Sequence, residues 1–231
     1  VPGIATLLDR WTNEPGQPRL TWYGPGGERV ELTGRVLATW VAKAANLLTE
    51  EAELEAGASV TLDLPAHWRT AVWALAAWAC GACVTQAGSL SAETNGTDVL
   101  VTTGTPSDRA ADVTIVIALP ALAMSVEDVP PGALDGAAEL MSQPDVLIQP
   151  VPHTDGPAAA LLTSEGTRDL LVPTGGGRVM LDVRGADVEQ MLIGAMHAWS
   201  GGGSVVLVGD PDGDLERIAQ QEATGGTAPT T

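Results

Sequence analysis

Residues Leu161 to Leu171 read LLTSEGTRDLL, and their types are those of a phosphate-binding turn. A short apolar run, Ala158 to Leu162, reads as a buried strand that enters a turn on Thr163, Ser164, Gly166 and Thr167. A strand running into a Thr/Ser/Gly turn can present successive backbone N–H groups to a phosphate. Arg168 would add positive charge. The stretch has one glycine, no lysine, and Glu165 where a negative charge would repel phosphate. Two readings stay open. The turn binds an anion or nucleotide weakly through Thr163, Ser164, Gly166, Thr167 and Arg168, or it is a polar loop that has outlived its function. ATP or AMP is the one cofactor class it suggests.

Other residue groups point to less. Cys80 and Cys83 form C-x-x-C, which can be a redox pair when the first thiolate sits at a helix N-terminus. Here they close an apolar helix, whose C-terminal dipole disfavours a thiolate, so they read as core cysteines. Asp210-Pro-Asp-Gly-Asp214 has the look of a calcium loop, but its glycine and distal acid are out of register. These acids are expected to open the last helix. His67, His153 and His197 are scattered and have no paired Cys or His, so no metal site is read. Ser164 in T-S-E-G lacks the G-x-S-x-G elbow, and no catalytic residue is assigned. The seven tryptophans, with no phenylalanine, fall mostly at helix core positions and read as packing.

The elements that must position these residues follow from periodicity. Ile4, Leu7, Leu8 and Trp11 have the spacing of an amphipathic helix. Arg19 to Tyr23 and Glu28 to Leu32 flank Gly24-Pro-Gly-Gly27 as a hairpin. Thr33 is a candidate N-cap for a helix with Val36, Leu37, Trp40, Val41, Ala44, Leu47 and Leu48 on one stripe and Arg35, Thr39, Lys43 and Asn46 opposite. Ala58 to Leu64, an apolar helix from Ala66 to Ala79, and Ala82 to Thr85 make a βαβ unit with parallel pairing. Val99 to Thr102 and Val113 to Ala118 are further strands, and Leu134 to Met141 a modest helix. Leu170 to Val172 and Val179 to Leu181 are expected to form a second hairpin around Thr174 to Arg178. Val188 to Trp199 is a strong helix, Val205 to Val208 a strand, and Leu215 to Ala219 a last short helix.

This order predicts a single α/β domain over 1–223, with a mixed, largely parallel sheet flanked by helices and a frayed tail at 224–231. Lobes at 1–142 and 158–223 would be joined by the proline-rich segment 143–157. The 231 residues are 45% hydrophobic and 17% charged, as in globular proteins. A net charge of −18 with Lys43 as the only lysine argues against nucleic acid and anionic membranes as partners. With no secretory pattern at Val1 to Ile4, the expected location is cytoplasmic.

Taken together, four stretches carry a resemblance to the N-terminal part of the adenylate-forming enzymes, the acyl-CoA synthetases among them. Ala45-Asn46-Leu47-Leu48 resembles their "A-N-x-L" helix. Val60 to Pro65, with Ala79-Cys-Gly-Ala-Cys-Val84, resembles their "V-x-L-x-L-P…G-A" unit. Ala158 to Arg168 resembles the phosphate-loop strand and turn, and Gly202 to Val208 the later "G-A-T-V-V-L-V" strand. Asp214 to Glu222 is similar to the next helix. The short length and composition also resemble a group of uncharacterised actinobacterial proteins related to this superfamily. Glu165 replaces the turn's first glycine, and Arg168 to Leu171 replace its second glycine and the P-K-G. The family's adenine-pocket residues, ribose-binding aspartate and C-terminal lysine find no match.

The resemblance implies a truncated homologue that no longer adenylates, acting as a binding or interaction module, with a homodimer or other protein partner expected. The alternative is a weak nucleotide- or CoA-binding protein, or a ligase that depends on a partner.

Overall fold

The computed structural model describes residues 3–88, 96–104, 111–152, 157–163, 165–171 and 176–224. Two compact units emerge, each built from separate stretches of chain: 1–38 with 65–71 and 170–231, and 39–64 with 72–169. Each carries its own largely parallel sheet, and among the described residues six α-helices accompany the two sheets.

In the first unit, α1 (Ile4–Asn13) buries Ile4, Leu7, Leu8 and Trp11, the stripe its spacing predicts. Strands β1 (Pro18–Gly24) and β2 (Glu28–Thr33) form the expected antiparallel hairpin. Its turn uses Gly26 at φ 72°, a left-handed conformation that glycine adopts without strain. Strands β10 (Arg178–Asp182) and β11 (Ser204–Val208) complete a sheet ordered β10-β11-β1-β2. Strand β11 runs parallel to both neighbours and is buried along its whole length, which suits its Val-Val-Leu-Val run. Helix α5 (Val188–Ser200) is capped by the Asp187 carboxylate, which accepts from the Gln190 amide at 2.8 Å.

The expected second hairpin is not what the chain builds. β10 pairs in parallel with β11, while Leu170 and Leu171 are buried outside any strand. The end of the first expected strand, Val172, and the first two residues of the expected turn, Thr174 and Gly175, lie outside the described residues. The glycines of 176–177 and 201–203 instead allow two main chains to approach. A Cβ on Gly176 would overlap the Gly201 carbonyl oxygen, and one on Gly203 would overlap that of Gly177. Ser204 donates its amide to the Gly177 carbonyl at 3.0 Å across this contact.

The unit's C-terminal end is α6 (Leu215–Gln221), capped by Asp214 at 3.0 Å from the Arg217 amide. Glu222 follows it and is buried at 8% exposure. Its carboxylate accepts from the Tyr23 hydroxyl at 2.5 Å, from Arg29 at 2.9 Å and from Arg178. Arg178 also donates to Thr21 Oγ1 at 2.9 Å and Ser204 Oγ at 3.1 Å. This one carboxylate therefore joins the last helix to β1, β2 and β10. Burial pushes the Glu222 carboxyl up, but the donors from Tyr23, Arg178 and Arg29 outweigh it and hold it below the ordinary glutamate value.

The second unit has a sheet ordered β7-β6-β5-β3-β4-β8-β9. Its strands are β3 (Ser59–Asp63), β4 (Cys83–Gln86), β5 (Thr97–Thr102), β6 (Ala111–Val116), β7 (Leu134–Asp135), β8 (Ala160–Thr163) and β9 (Gly166–Asp169). All pair in parallel except β8 with β9. The β3 and β4 strands flank α3 (Trp68–Ala79), buried at every position as its all-round apolarity predicts. Leu134 falls in β7 rather than in the helix expected there, because Asp135 caps α4 (Gly136–Ser142) through the Ala137 and Ala138 amides.

Helix α2 (Gly34–Glu50) buries Leu37, Val41, Ala44, Leu47 and Leu48 as expected, yet Val36 is exposed and Asn46, assigned to the polar face, is 1% exposed. The Asn46 amide donates to the Pro144 and Val146 carbonyls at 3.1 and 2.8 Å and accepts from the Ile148 amide at 2.9 Å. Lys43 bonds the Gln143 carbonyl and pairs with Asp145 at 2.8 Å. The described part of the proline-rich segment, 143–152, is thus strapped to α2. The boundary between the two compact units falls elsewhere, since residues 142 and 158 both belong to the second unit. Among the described residues no helix is long and apolar enough to cross a membrane.

Two outcomes follow. Glu222→Gln should cost about 3 kcal/mol near neutral pH, because it weakens one side of a buried charge cluster. A carboxyl held low stabilises the fold above its unfolded pKa and loses that contribution as pH falls through the folded value. The deficit should therefore shrink in acid below about pH 4, in urea titrations across pH. Gly203→Ala should destabilise by about 2–3 kcal/mol in the same assay, since backbone rather than a flexible side chain must move.

Candidate functional site

The sequence-derived phosphate turn is a tight β-hairpin at one edge of the second unit's sheet. Thr163 pairs with Gly166, Leu162 with Thr167 and Leu161 with Arg168. Hairpin pairing brings Thr163, Gly166, Thr167 and Arg168 together, while Ser164 lies outside the described residues. The Thr163 side chain is buried at 8% exposure and closes the turn from inside. Its hydroxyl donates to the Gly166 carbonyl at 3.1 Å and accepts from the Glu165 amide at 3.2 Å. The Glu165 amide, one of the groups a phosphate would need, is thereby engaged. Gly166 has φ 120°, a conformation that favours glycine at the close of the turn.

Glu165 and Arg168 are both exposed, and their charged groups stand 3.9 Å apart. At this exposure the pair is screened and contributes little to stability. It does place a carboxylate beside the one cation of the turn. Asp169 anchors the base of the hairpin, accepting from the Ala158 and Ala159 amides at 3.3 and 3.2 Å.

The other candidates sort themselves by burial. Cys80 and Cys83 are free thiols, the first buried and the second half-buried. Burial pushes the Cys80 thiol up to about 12, and burial also raises Cys83, so neither is a ready thiolate. Asp210 accepts from the Asp212 amide at 3.2 Å and Asp214 caps α6, so these acids organise the entry to the helix. Among the described residues no group of three or more His, Cys, Asp or Glu side chains could hold a metal ion. His197 is exposed on α5, and His153 lies outside the described residues.

Sequence reasoning missed an aromatic and basic cluster in the first unit. Trp22 of β1 donates its indole N–H to Glu28 at 2.9 Å and meets His67 edge-on, with ring centres 4.5 Å apart. Glycines at 24 and 209 leave room for the ring, since a Cβ at either would overlap the indole. The His67 Nδ1 accepts from the Arg69 amide at 3.1 Å, and the Arg69 guanidinium lies 4.6 Å from the Trp68 ring. Burial, with the nearby Arg69 charge, lowers His67 to about 3, so the imidazole is neutral near pH 7. Burial lowers Arg69 to about 10 despite the opposing charge of Glu28. The ends of parallel strands commonly receive ligands in open α/β sheets, and the Trp22 ring lies against the backbone there, at Gly24 closing β1 and Gly209 following β11. The only available signal was a His-Trp-Arg run just after a strand.

These features can be set beside known proteins. No family model matches the chain. A protein of Mycobacterium tuberculosis is a homologue, 28% identical over 236 residues and matched over 91% of each chain. Among solved structures, the acetoacetyl-CoA synthetase of Streptomyces lividans superposes with a TM-score of 0.70 at 20% identity, over 98% of this chain and 42% of its own. A Brucella canis acyl-CoA synthetase gives 0.71 at 15% identity, over 97% and 46%. A fatty acyl CoA synthetase of Mycobacterium tuberculosis gives 0.64 at 13% identity, over 96% and 48%. The chain spans less than half the length of each synthetase. At these identities the likeness is one of fold alone: the chain shares the fold of part of these acyl-CoA synthetases.

Proposed function

We propose that this chain is a non-catalytic binding or interaction module built on an acyl-CoA synthetase-like fold. The observation that carries the reading is the closed hairpin at Thr163 to Arg168. The Thr163 hydroxyl engages the Glu165 amide, and the Glu165 carboxylate stands beside Arg168. An approaching phosphate would meet a negative charge and an amide already in use. The only lysine, Lys43, is engaged by Gln143 and Asp145 and serves the strap on α2. A protein partner would cover the exposed Leu122 and Met124, two residues apart in one loop, at 91% and 63% exposure. A second copy of the chain is the simplest such partner.

The competing reading, weak nucleotide or CoA binding or a ligase completed by a partner, is favoured by Arg168, a half-exposed cation next to the turn. One titration separates the two. ATP, AMP and CoA should leave the thermal midpoint of the native protein unchanged at millimolar concentration, and Glu165→Gly should not create a shift. A shift with AMP or ATP that grows in Glu165→Gly moves the assignment to nucleotide binding. Light scattering at high micromolar concentration should report a dimer, and a monomer there counts against self-association.

A further inference from the structure

Strand β2 stands at one edge of the first unit's sheet, with β1 on one side and, among the described residues, no strand on the other. Its pairing with β1 runs without a shift from Glu28 to Leu32, and the one irregularity lies beyond, between Pro18 and Leu20. Among the described residues, 29–32 make no main-chain hydrogen bond besides that pairing. Such an edge offers a row of backbone donors and acceptors to another strand. Proline, a bulge or a run of one charge would blunt it, and β2 has none of these over 28–32.

What β2 carries instead is a self-complementary order of side chains. Exposure alternates along it: Arg29 and Glu31 lie on the open face, and Val30 and Leu32 on the covered one. Turning an antiparallel copy about Val30 sets Arg29 opposite the second copy's Glu31, and Glu31 opposite its Arg29. Registers centred on Arg29 or on Glu31 set like charges face to face, which is unfavourable. A register shifted by one residue sets an open position against a covered one, because side chains alternate. Only the register centred on Val30 matches both charge and face. Arg29 has donors to spare for it: Nε and Nη2 serve Tyr23, Glu31 and Glu222, leaving Nη1 for a further carboxylate. Val30, half-buried in one copy, would meet its own counterpart on the axis.

We propose that two copies of the chain associate by antiparallel pairing of their β2 strands about a two-fold axis at Val30, joining two four-stranded sheets into one. The proposal rests on the reading that a second copy is the partner, and it adds the contact. That contact is short and each chain carries a charge of −18, so the association is weak and is favoured by physiological salt, which screens the repulsion beyond about 8 Å.

The test combines cross-linking with light scattering at high micromolar concentration in physiological salt. A disulfide needs Cβ atoms about 4 Å apart, and diagonal neighbours across two strands stand about 7–8 Å apart. Under mild oxidation Val30→Cys should therefore give a covalent dimer joined at position 30, shown by peptide mapping against the native chain with its own Cys80 and Cys83. Glu31→Cys should cross-link at least tenfold more slowly. Glu31→Arg changes an exposed side chain and should keep the native circular dichroism while weakening the dimer tenfold or more. A dimer without the position-30 disulfide, equal cross-linking of Glu31→Cys, or an unchanged dimer in a folded Glu31→Arg chain would each overturn edge pairing and leave the second-copy reading standing. A monomer throughout would overturn both.

Discussion

A buried carboxylate surrounded by donors imposes the main constraint on the first unit. Glu222 comes after the last helix, far along the chain from the β1–β2 hairpin, yet it receives bonds from Tyr23 and Arg29 of that hairpin and from Arg178 of β10. Desolvating a carboxylate is costly, and only full satisfaction by several donors makes the burial tolerable. The converse also holds. Arg178, already bonded to Thr21 and Ser204, could not lose Glu222 without leaving a poorly compensated charge in the sheet. The cluster therefore sets where α6 docks. The close contact of Gly176 and Gly177 with Gly201 and Gly203 sets how β10 enters beside β11.

The second unit answers the same problem with a neutral amide. Asn46 has two donor hydrogens and an acceptor oxygen on a short, stiff side chain, and the strap offers two carbonyls and one amide spaced to receive them. A segment rich in proline cannot satisfy its backbone by joining a sheet, so a side chain supplies the partners. With Lys43 on the adjacent turn holding Gln143 and Asp145, α2 becomes the mount for the strap. The "A-N-x-L" resemblance acquires a physical content in this chain: Asn46 is needed for its hydrogen bonds.

The hairpin at Thr163 to Arg168 is closed by one of its own side chains. Thr163 remains available as a hydrogen-bonding residue, but both partners of its hydroxyl are internal to the hairpin. Strand β9 then pairs residue for residue with β8, which commits the following backbone to the sheet. Likeness to synthetases at 13–20% identity is carried by strand order and packing. It does not carry over the chemistry of those enzymes, which lives in particular side chains.

Wherever burial on one face was enough to define an element, the sequence by itself determined it. The stripe Ile4, Leu7, Leu8, Trp11, the all-apolar α3, the β1–β2 hairpin and the parallel β3–α3–β4 unit all follow from periodicity and turn residues, which are local properties. Glu165 and the absence of a lysine from the turn are likewise read directly from the sequence. Only the tertiary structure decided how polar residues were spent. Asn46 and Lys43 sit on the expected polar face of α2, yet their partners lie about a hundred residues away in the strap. The glycines of 176–177 read as a hairpin turn and prove to be a backbone contact, because what demands glycine there is a remote carbonyl rather than a local torsion. His67, Trp22 and Arg69 likewise form a cluster only once β1 and the start of α3 meet. Local patterns report which side of an element is apolar, whereas a hydrogen bond or a steric contact between distant segments exists only after the chain has folded.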